Sequence, residues 1–308
     1  MTLQRDAFIT VVHEAARKDD RIVFLSADLG AETLDVFRAE LPGQFIHCGI
    51  SEQHMIDLAA GLSLAGKTVF VYCMGPFLSL RCLEQIKCCL AMMDRPVTLI
   101  SAGVGLGYAD SGPTHYATED LACLRAISGM EVWTPADSLA ATEMARDSLR
   151  SPGLRYIRLD REAMPDIYVG KQVARSAVEK GFHELWSGGA VCILSSGYML
   201  HRAIAARLRL QRRGRDVGVV DLFQIEPINK KLAKTLSRYK ALVTVEEQCL
   251  PGGFGSAVLE YLSDRGLSIP ITRIGLPGRY YFENGGRAHL LDSFGLSVEQ
   301  ICETVEDV

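Results

Sequence analysis

Phe45-Ile-His-Cys48, running straight into Gly49-Ile-Ser-Glu-Gln-His-Met55, is the stretch whose reading decides the fold. The first four residues are apolar or aromatic and too few for a helix, so they read as a strand. Glycine then allows a sharp turn. Ser51 stands where a helix cap belongs, and Glu52 falls in the first turn, where the helix dipole favours an acid. From Glu52 to Ala65 the residues Met55, Ile56, Ala59, Ala60, Leu62 and Ser63 recur near helical spacing. Strand, tight turn and helix make one unit of an α/β fold.

The same alternation extends in both directions. Ile22–Ala27, Thr68–Tyr72, Val97–Ser101 and Glu131–Trp133 read as strands, and Leu78–Met93 as a helix ending ahead of Pro96. A charged, looser segment from about Arg161 to Gly188 contains Pro165 and Gly170. Beyond it Ala190–Ser196, Asp216–Asp221, Ala241–Glu246 and Ile271–Ile274 are further strands separated by helix-like residues. The expected architecture is therefore two α/β domains with mainly parallel sheets flanked by helices, residues 1–165 and 188–308, joined by a linker at 166–187.

Composition narrows the function classes. A chain of 308 residues has room for two cores. Its 33 Lys and Arg against 37 Asp and Glu give a formal charge of -4, so no basic excess points to nucleic acid or to a membrane surface. No apolar run approaches the ~18 residues that span a bilayer, and Met1-Thr-Leu-Gln-Arg-Asp6 lacks the layout of a signal peptide. The nine cysteines show no C-x-x-C spacing, which favours reduced thiols in the cytoplasm over a disulfide framework or a zinc site.

Ligands of open α/β sheets sit beyond the carboxyl ends of the strands. Three segments fall there: Gly49–Met55, Ser111-Gly-Pro-Thr-His-Tyr-Ala-Thr-Glu-Asp120, and Arg158-Leu-Asp-Arg161. Each alone also has an ordinary structural reading. Glu52 could be a first-turn acid, His115 a turn residue, and the two arginines surface ion-pair partners. Gly252-Gly-Phe-Gly255 resembles an anion-binding helix start and is read here as packing.

In order, Gly49-Ile-Ser-Glu-Gln-His54, Ala59-Ala-Gly-Leu62, Phe77, Glu84-Gln-Ile86, Gly112-Pro-Thr-His115, Glu119-Asp-Leu121, Pro135-Ala-Asp137 and Tyr156-Ile-Arg158 resemble the pyrimidine-binding domain of the transketolase family. Val243-Thr-Val-Glu-Glu-Gln248 followed by Gly252-Gly-Phe-Gly-Ser-Ala-Val258 is similar to that family's C-terminal domain. The Gly-Asp-Gly motif with which the family holds the metal and diphosphate of its cofactor does not occur. The resemblance therefore implies one half of a split enzyme. A separate N-terminal transketolase subunit would hold the diphosphate and Mg2+ or another divalent metal, in a heterotetramer of two chains of each kind.

That resemblance also assigns roles. Glu52 matches the glutamate that hydrogen-bonds the aminopyrimidine of thiamine diphosphate, a task for a carboxyl sharing a proton with a ring nitrogen in a dry site. Tyr72 and Phe77 are the expected aromatic walls of the pyrimidine slot. His115 matches a histidine that contacts substrate oxygens near the reacting carbon and can shuttle protons. Arg161 matches an arginine for the phosphate end of a sugar phosphate, and Arg158 is read as structural. Ser111 stands where the family carries aspartate, with Asp110 one position earlier, and Ser101-Ala-Gly-Val-Gly105 lacks a loop histidine. The implied activity is transfer of a two-carbon ketol unit from a ketose phosphate to an aldose. The alternative is a decarboxylating enzyme's component, similar to deoxyxylulose-phosphate synthases or keto-acid dehydrogenase beta subunits. The helix after Glu52 and the Leu80–Met92 stretch are candidates for the subunit contact.

Overall fold

The computed structural model describes residues 1–168 and 171–308. Six strands form in order along the first half: β1 (Ile22–Ala27), β2 (Phe45–Gly49), β3 (Thr68–Met74), β4 (Val97–Ala102), β5 (Glu131–Trp133) and β6 (Arg155–Leu159). Six more follow: β7 (His183–Trp186), β8 (Val191–Ser195), β9 (Gly218–Asp221), β10 (Gln224–Glu226), β11 (Ala241–Cys249) and β12 (Ile271–Leu276). They assemble into a 7-stranded sheet, β10-β5-β6-β4-β3-β1-β2, and a 5-stranded sheet, β12-β11-β8-β9-β7. Pairing is parallel except where β10 meets β5 and β7 meets β9. Two α/β units with mainly parallel sheets are thus present, as the alternation requires.

Residues alternate across the first sheet and build a core on each side. Val23, Leu25, Val69 and Val71 pack with Met55, Ile56 and Ala59 of the helix Glu52–Leu64. Phe24, Phe70 and Tyr72 face the other way, onto Phe8, Ile9 and Val12 of the helix Gln4–Ala16. Strand order reverses between β1 and β3, so the chain leaves their carboxyl ends in opposite directions and opens a crevice there.

Two expectations are corrected. The 166–187 stretch is not a plain linker. It contains the helix Lys171–Lys180, which packs on the helix Ser138–Arg150, and β7, the edge of the second sheet. Val173, Ala174, Ala177 and Val178 recur at helical spacing in the sequence, a signal the charged composition masks, and Ala177 and Val178 are buried. Gly170, read as part of that linker, lies outside the described residues. The units also exchange structure, because β10, from the 188–308 part, completes the first sheet. The second correction concerns Leu78–Met93. It is broken into Gly75–Ser79, Leu83–Gln85 and a π-wound turn at Ile86–Ala91, where Met92 N–H reaches back to Lys87 O at 2.9 Å.

No two of the nine cysteines are joined. Among the described residues no helix is long and apolar enough to cross a membrane.

Candidate active site

The crevice at the β1/β3 reversal is a cleft of about 290 Å³ lined by Ala27, Asp28, Leu29, Ile50, Glu52, Cys73, Met74, Phe77 and Arg81. Gly49 takes a φ of +64°, a left-handed turn suited to glycine, and this brings Glu52 to the mouth of its helix. Ser51 makes no side-chain cap to that helix. Glu52 is only 5% exposed. Its Oε2 accepts from Arg81 Nη1 at 2.6 Å, and Oε1 takes no hydrogen bond from the described residues, leaving one oxygen for a ligand in the cleft.

Arg81 does more than neutralise the acid. Its guanidinium lies 4.2 Å from the centre of the Phe77 ring, a cation–π contact that fixes both groups. This geometry depends on the break after Ser79, because residues 80–82 form a turn instead of continuing the helix. His115, at the end of the short 3-10 turn Pro113–His115, meets Phe77 edge-on at 5.2 Å and Tyr108 at 6.3 Å. Its Nδ1 bonds the Thr114 hydroxyl at 2.9 Å. Tyr108 in turn stacks under Arg161, whose Cζ is 4.6 Å from the ring centre. Glu52, Arg81, Phe77, His115, Tyr108 and Arg161 therefore form one continuous run of touching groups, acid at one end and cation at the other.

Arg161 Nη1 donates to Asp110 Oδ1 at 2.7 Å, which holds the Asp110 carboxyl below its ordinary range. Ser111 is exposed, and its hydroxyl points back toward Asp110 at 3.5 Å. The structure thus brings Glu52, Phe77, His115, Arg161 and Ser111 to the carboxyl end of the first sheet.

Tyr72 is the exception. The expectation makes it a wall of the pyrimidine slot, but it does not line the Glu52 cleft. Strand residues alternate faces, so Cys73 enters the cleft while Tyr72 points to the opposite core. There it lines a small cavity with Leu3, Arg5, Ala102, Tyr108, Asp160 and Arg161.

Arg158 is structural, as read. It is buried, and it clamps Asp120 through Nε at 2.7 Å and Nη2 at 3.0 Å while the Tyr156 hydroxyl donates to the same carboxylate at 2.9 Å. Gly252–Gly255 is also packing, because the helix start it opens is filled by the protein's own acid. Glu246 accepts the backbone N–H of Phe254 at 2.6 Å and of Gly255 at 2.8 Å. Among the described residues no group of three or more His, Cys, Asp or Glu side chains is gathered as for a metal ion.

Sequence reasoning passed over Arg81 and Tyr108. Arg81 had a signal, an arginine four residues after a candidate aromatic wall. Tyr108 had none, since it sits in a glycine-rich loop whose path depends on the second unit.

Comparison with known proteins agrees with this architecture. Residues 3–166 match the transketolase pyrimidine-binding domain, and residues 162–301 the transketolase C-terminal domain. The chain is 32% identical over 302 residues to a subunit of the apulose-4-phosphate transketolase of Phocaeicola vulgatus, covering 97% of this chain and 95% of that protein. It is 31% identical over 306 residues to the 6-deoxy-6-sulfo-D-fructose transketolase subunit SqwH of a Clostridium species, covering 99% and 94%. A solved split-gene transketolase, described as an inactive beta4 tetramer, superposes with a TM-score of 0.89 at 30% identity and covers 100% of this chain and 98% of its own. The chain belongs to the transketolase family and carries that family's pyrimidine-binding and C-terminal domains.

Proposed function

We propose that this chain works with a separate diphosphate-binding subunit as a thiamine-diphosphate-dependent transketolase that moves a two-carbon ketol unit from a ketose to an aldose. The observation that carries the reading is the free Oε1 of a nearly buried Glu52, facing a cleft walled by Phe77 at the strand-order reversal. An acid and an aromatic face so placed suit an aminopyrimidine ring. Bound thiamine diphosphate supplies the thiazolium that stabilises the carbanion in two-carbon transfer. Glu52 Oε1 shares a proton with the pyrimidine ring nitrogen, and Arg81 holds its other oxygen. Phe77 excludes water and orients the ring. His115, edge-on to Phe77, holds the substrate hydroxyl and carbonyl oxygens and moves a proton at them. Arg161, backed by Tyr108, receives the far end of the sugar, with Ser111 beside it.

The partner would bring the diphosphate site and its magnesium or other divalent metal, in an assembly of two chains of each kind in the cytoplasm. Outward-facing apolar side chains, at the cleft and at the far end of the Leu80–Met92 stretch, support a covered face. Ile50, which lines the cleft, is 77% exposed, and Met92 is 72% exposed, with Leu80 and Met93 also turned outward. A related chain described as inactive when assembled only with itself fits a subunit that is inert alone.

The test is to assay the reconstituted two-chain complex with ketose donors and aldose acceptors, with and without phosphate. Elongation of the aldose by two carbons supports the reading. Consumption of an α-keto acid with release of carbon dioxide would instead mark the decarboxylating alternative.

A further inference from the structure

We propose that Arg287, contributed by the second unit, is a positioning residue for the substrate end of the cleft. This rests on the ketol-transfer reading and goes beyond it by giving the C-terminal unit a task in substrate binding. Arg287 opens the helix Arg287–Ser293 and is only 4% exposed. It lines neither cavity. Its guanidinium reaches Asp160 at 2.9 Å through Nη1 and at 2.7 Å through Nη2, and Glu247 at 3.0 Å through Nε and at 2.5 Å through Nη2. One face rests on Tyr198, with Cζ 3.7 Å from the ring centre.

The two acids lead to the two segments that meet at the substrate end. Asp160 immediately precedes Arg161 in the chain. Glu247 Oε2 accepts the backbone N–H of Leu106 at 3.2 Å, within the loop that carries Tyr108. That loop lies directly on Glu247, because a Cβ at Gly105 would stand 2.2 Å from Glu247 Cγ. Tyr108 and Arg161 stack on each other, and the segments that carry them are held by the same guanidinium, one through Glu247 and the other through Asp160. Arg287 also keeps Asp160 away from Arg161. Both Asp160 oxygens go to Arg287, and Oδ1 also accepts the Glu162 N–H at 2.8 Å. Without Arg287, the Asp160 carboxylate lies free beside the residue that must receive the substrate. A buried charge cluster is weak evidence for stability, since apolar side chains can hold two units together as well. Its directional bonds do set geometry, and a binding group displaced from its ligand holds that ligand less well.

The experiment compares wild type with Arg287→Met, Arg287→Lys and Glu247→Gln in two ways. Amide hydrogen exchange follows the chain itself, while steady-state kinetics and titration with thiamine diphosphate follow its complex with the diphosphate-binding subunit. In Arg287→Met, exchange should quicken at residues 103–109 and 158–162 while the helix Glu52–Leu64 keeps its protection. The sugar KM should rise about tenfold or more, kcat should stay within about twofold, and cofactor Kd should not move. Arg287→Lys should recover part of the KM. Where Arg287→Met does not accumulate as folded protein, Glu247→Gln decides, since it keeps the shape and an acceptor for Leu106. It should quicken exchange at Leu106 and raise the sugar KM about two- to fivefold. Protection lost evenly across both units, or an unchanged KM with a weakened cofactor, overturns the proposal. If the wild-type complex moves no ketol unit, the functional reading fails, and the exchange pattern alone still decides whether Arg287 fixes these segments.

Discussion

Arg81 Nη1 donates to Glu52 Oε2 at 2.6 Å while the same guanidinium lies 4.2 Å from the centre of Phe77. The acid and the aromatic wall of the cleft are thereby held as one unit, and the second Glu52 oxygen is left free. Replacing Glu52 with Gln keeps the shape and removes the shared proton. Turnover of the assembled complex should fall by about 10²- to 10⁴-fold, the usual contribution of a positioned acid or base. Gel filtration should still show the assembly. Near-normal rates in this variant would remove Glu52 from the role.

Phe77 contributes an aromatic face to the cleft. Stacking of this kind contributes about 0.5–1.5 kcal/mol, so Phe77→Ala should raise the thiamine diphosphate Kd of the complex roughly two- to tenfold. Tyr72→Phe should leave that Kd unchanged, because Tyr72 lies on the opposite face of β3. Titration followed by calorimetry separates the two variants.

The βα alternation and the order of motifs made the fold class legible, because each unit is written locally in strand length and helical spacing. Glu52, His115 and Arg161 could be singled out in the sequence because each follows a strand end or a turn, and the structure gathers them with Phe77 and Tyr108, while their roles rest on the resemblance. Tyr72 was misplaced because a residue's neighbourhood in sequence does not say which face of a strand it takes. Its neighbour Cys73, one step on, is the one in the cleft. The linker at 166–187 hid a helix whose Val173, Ala174, Ala177 and Val178 recur at helical spacing amid many charges, and a four-residue edge strand that is only half-buried and is held by its pairing with β9. Arg287 was invisible for a deeper reason, since its acids lie 127 and 40 residues away.

Asp110 and Arg161 form an exposed ion pair at the group proposed to receive the sugar's far end. Such pairs contribute about 0.2–1 kcal/mol. Asp110→Asn should free the guanidinium for an anionic sugar terminus, lowering the KM for a phosphorylated ketose about two- to fivefold. The KM for the same ketose without phosphate should stay put. A parallel change for both sugars would show that the pair does not sense the phosphate.

Burial raises the Glu246 carboxyl from 4.5 to about 7, against the pull of the Phe254 and Gly255 N–H groups. The folded chain therefore holds a proton that the unfolded chain has already released between these values. The sign is that Glu246 stabilises the fold most at low pH, and its contribution declines as pH rises from about 4.5 to about 7. Glu246→Gln imitates the protonated side chain. The difference in melting temperature between the variant and wild type should grow in the variant's favour across that interval and level off above it. A constant difference from pH 4.5 to pH 8 would contradict the assignment.

In the proposed function this chain binds the pyrimidine end of the cofactor while another chain binds the diphosphate. The most direct measurement is calorimetric titration of thiamine diphosphate with magnesium into the purified chain, alone and mixed with a diphosphate-binding subunit, each followed by a ketol-transfer assay. With its site divided between two chains, the cofactor should bind weakly or undetectably to this chain alone, without turnover, and tightly with turnover only in the mixture. Tight binding and ketol transfer by the chain alone would contradict that division.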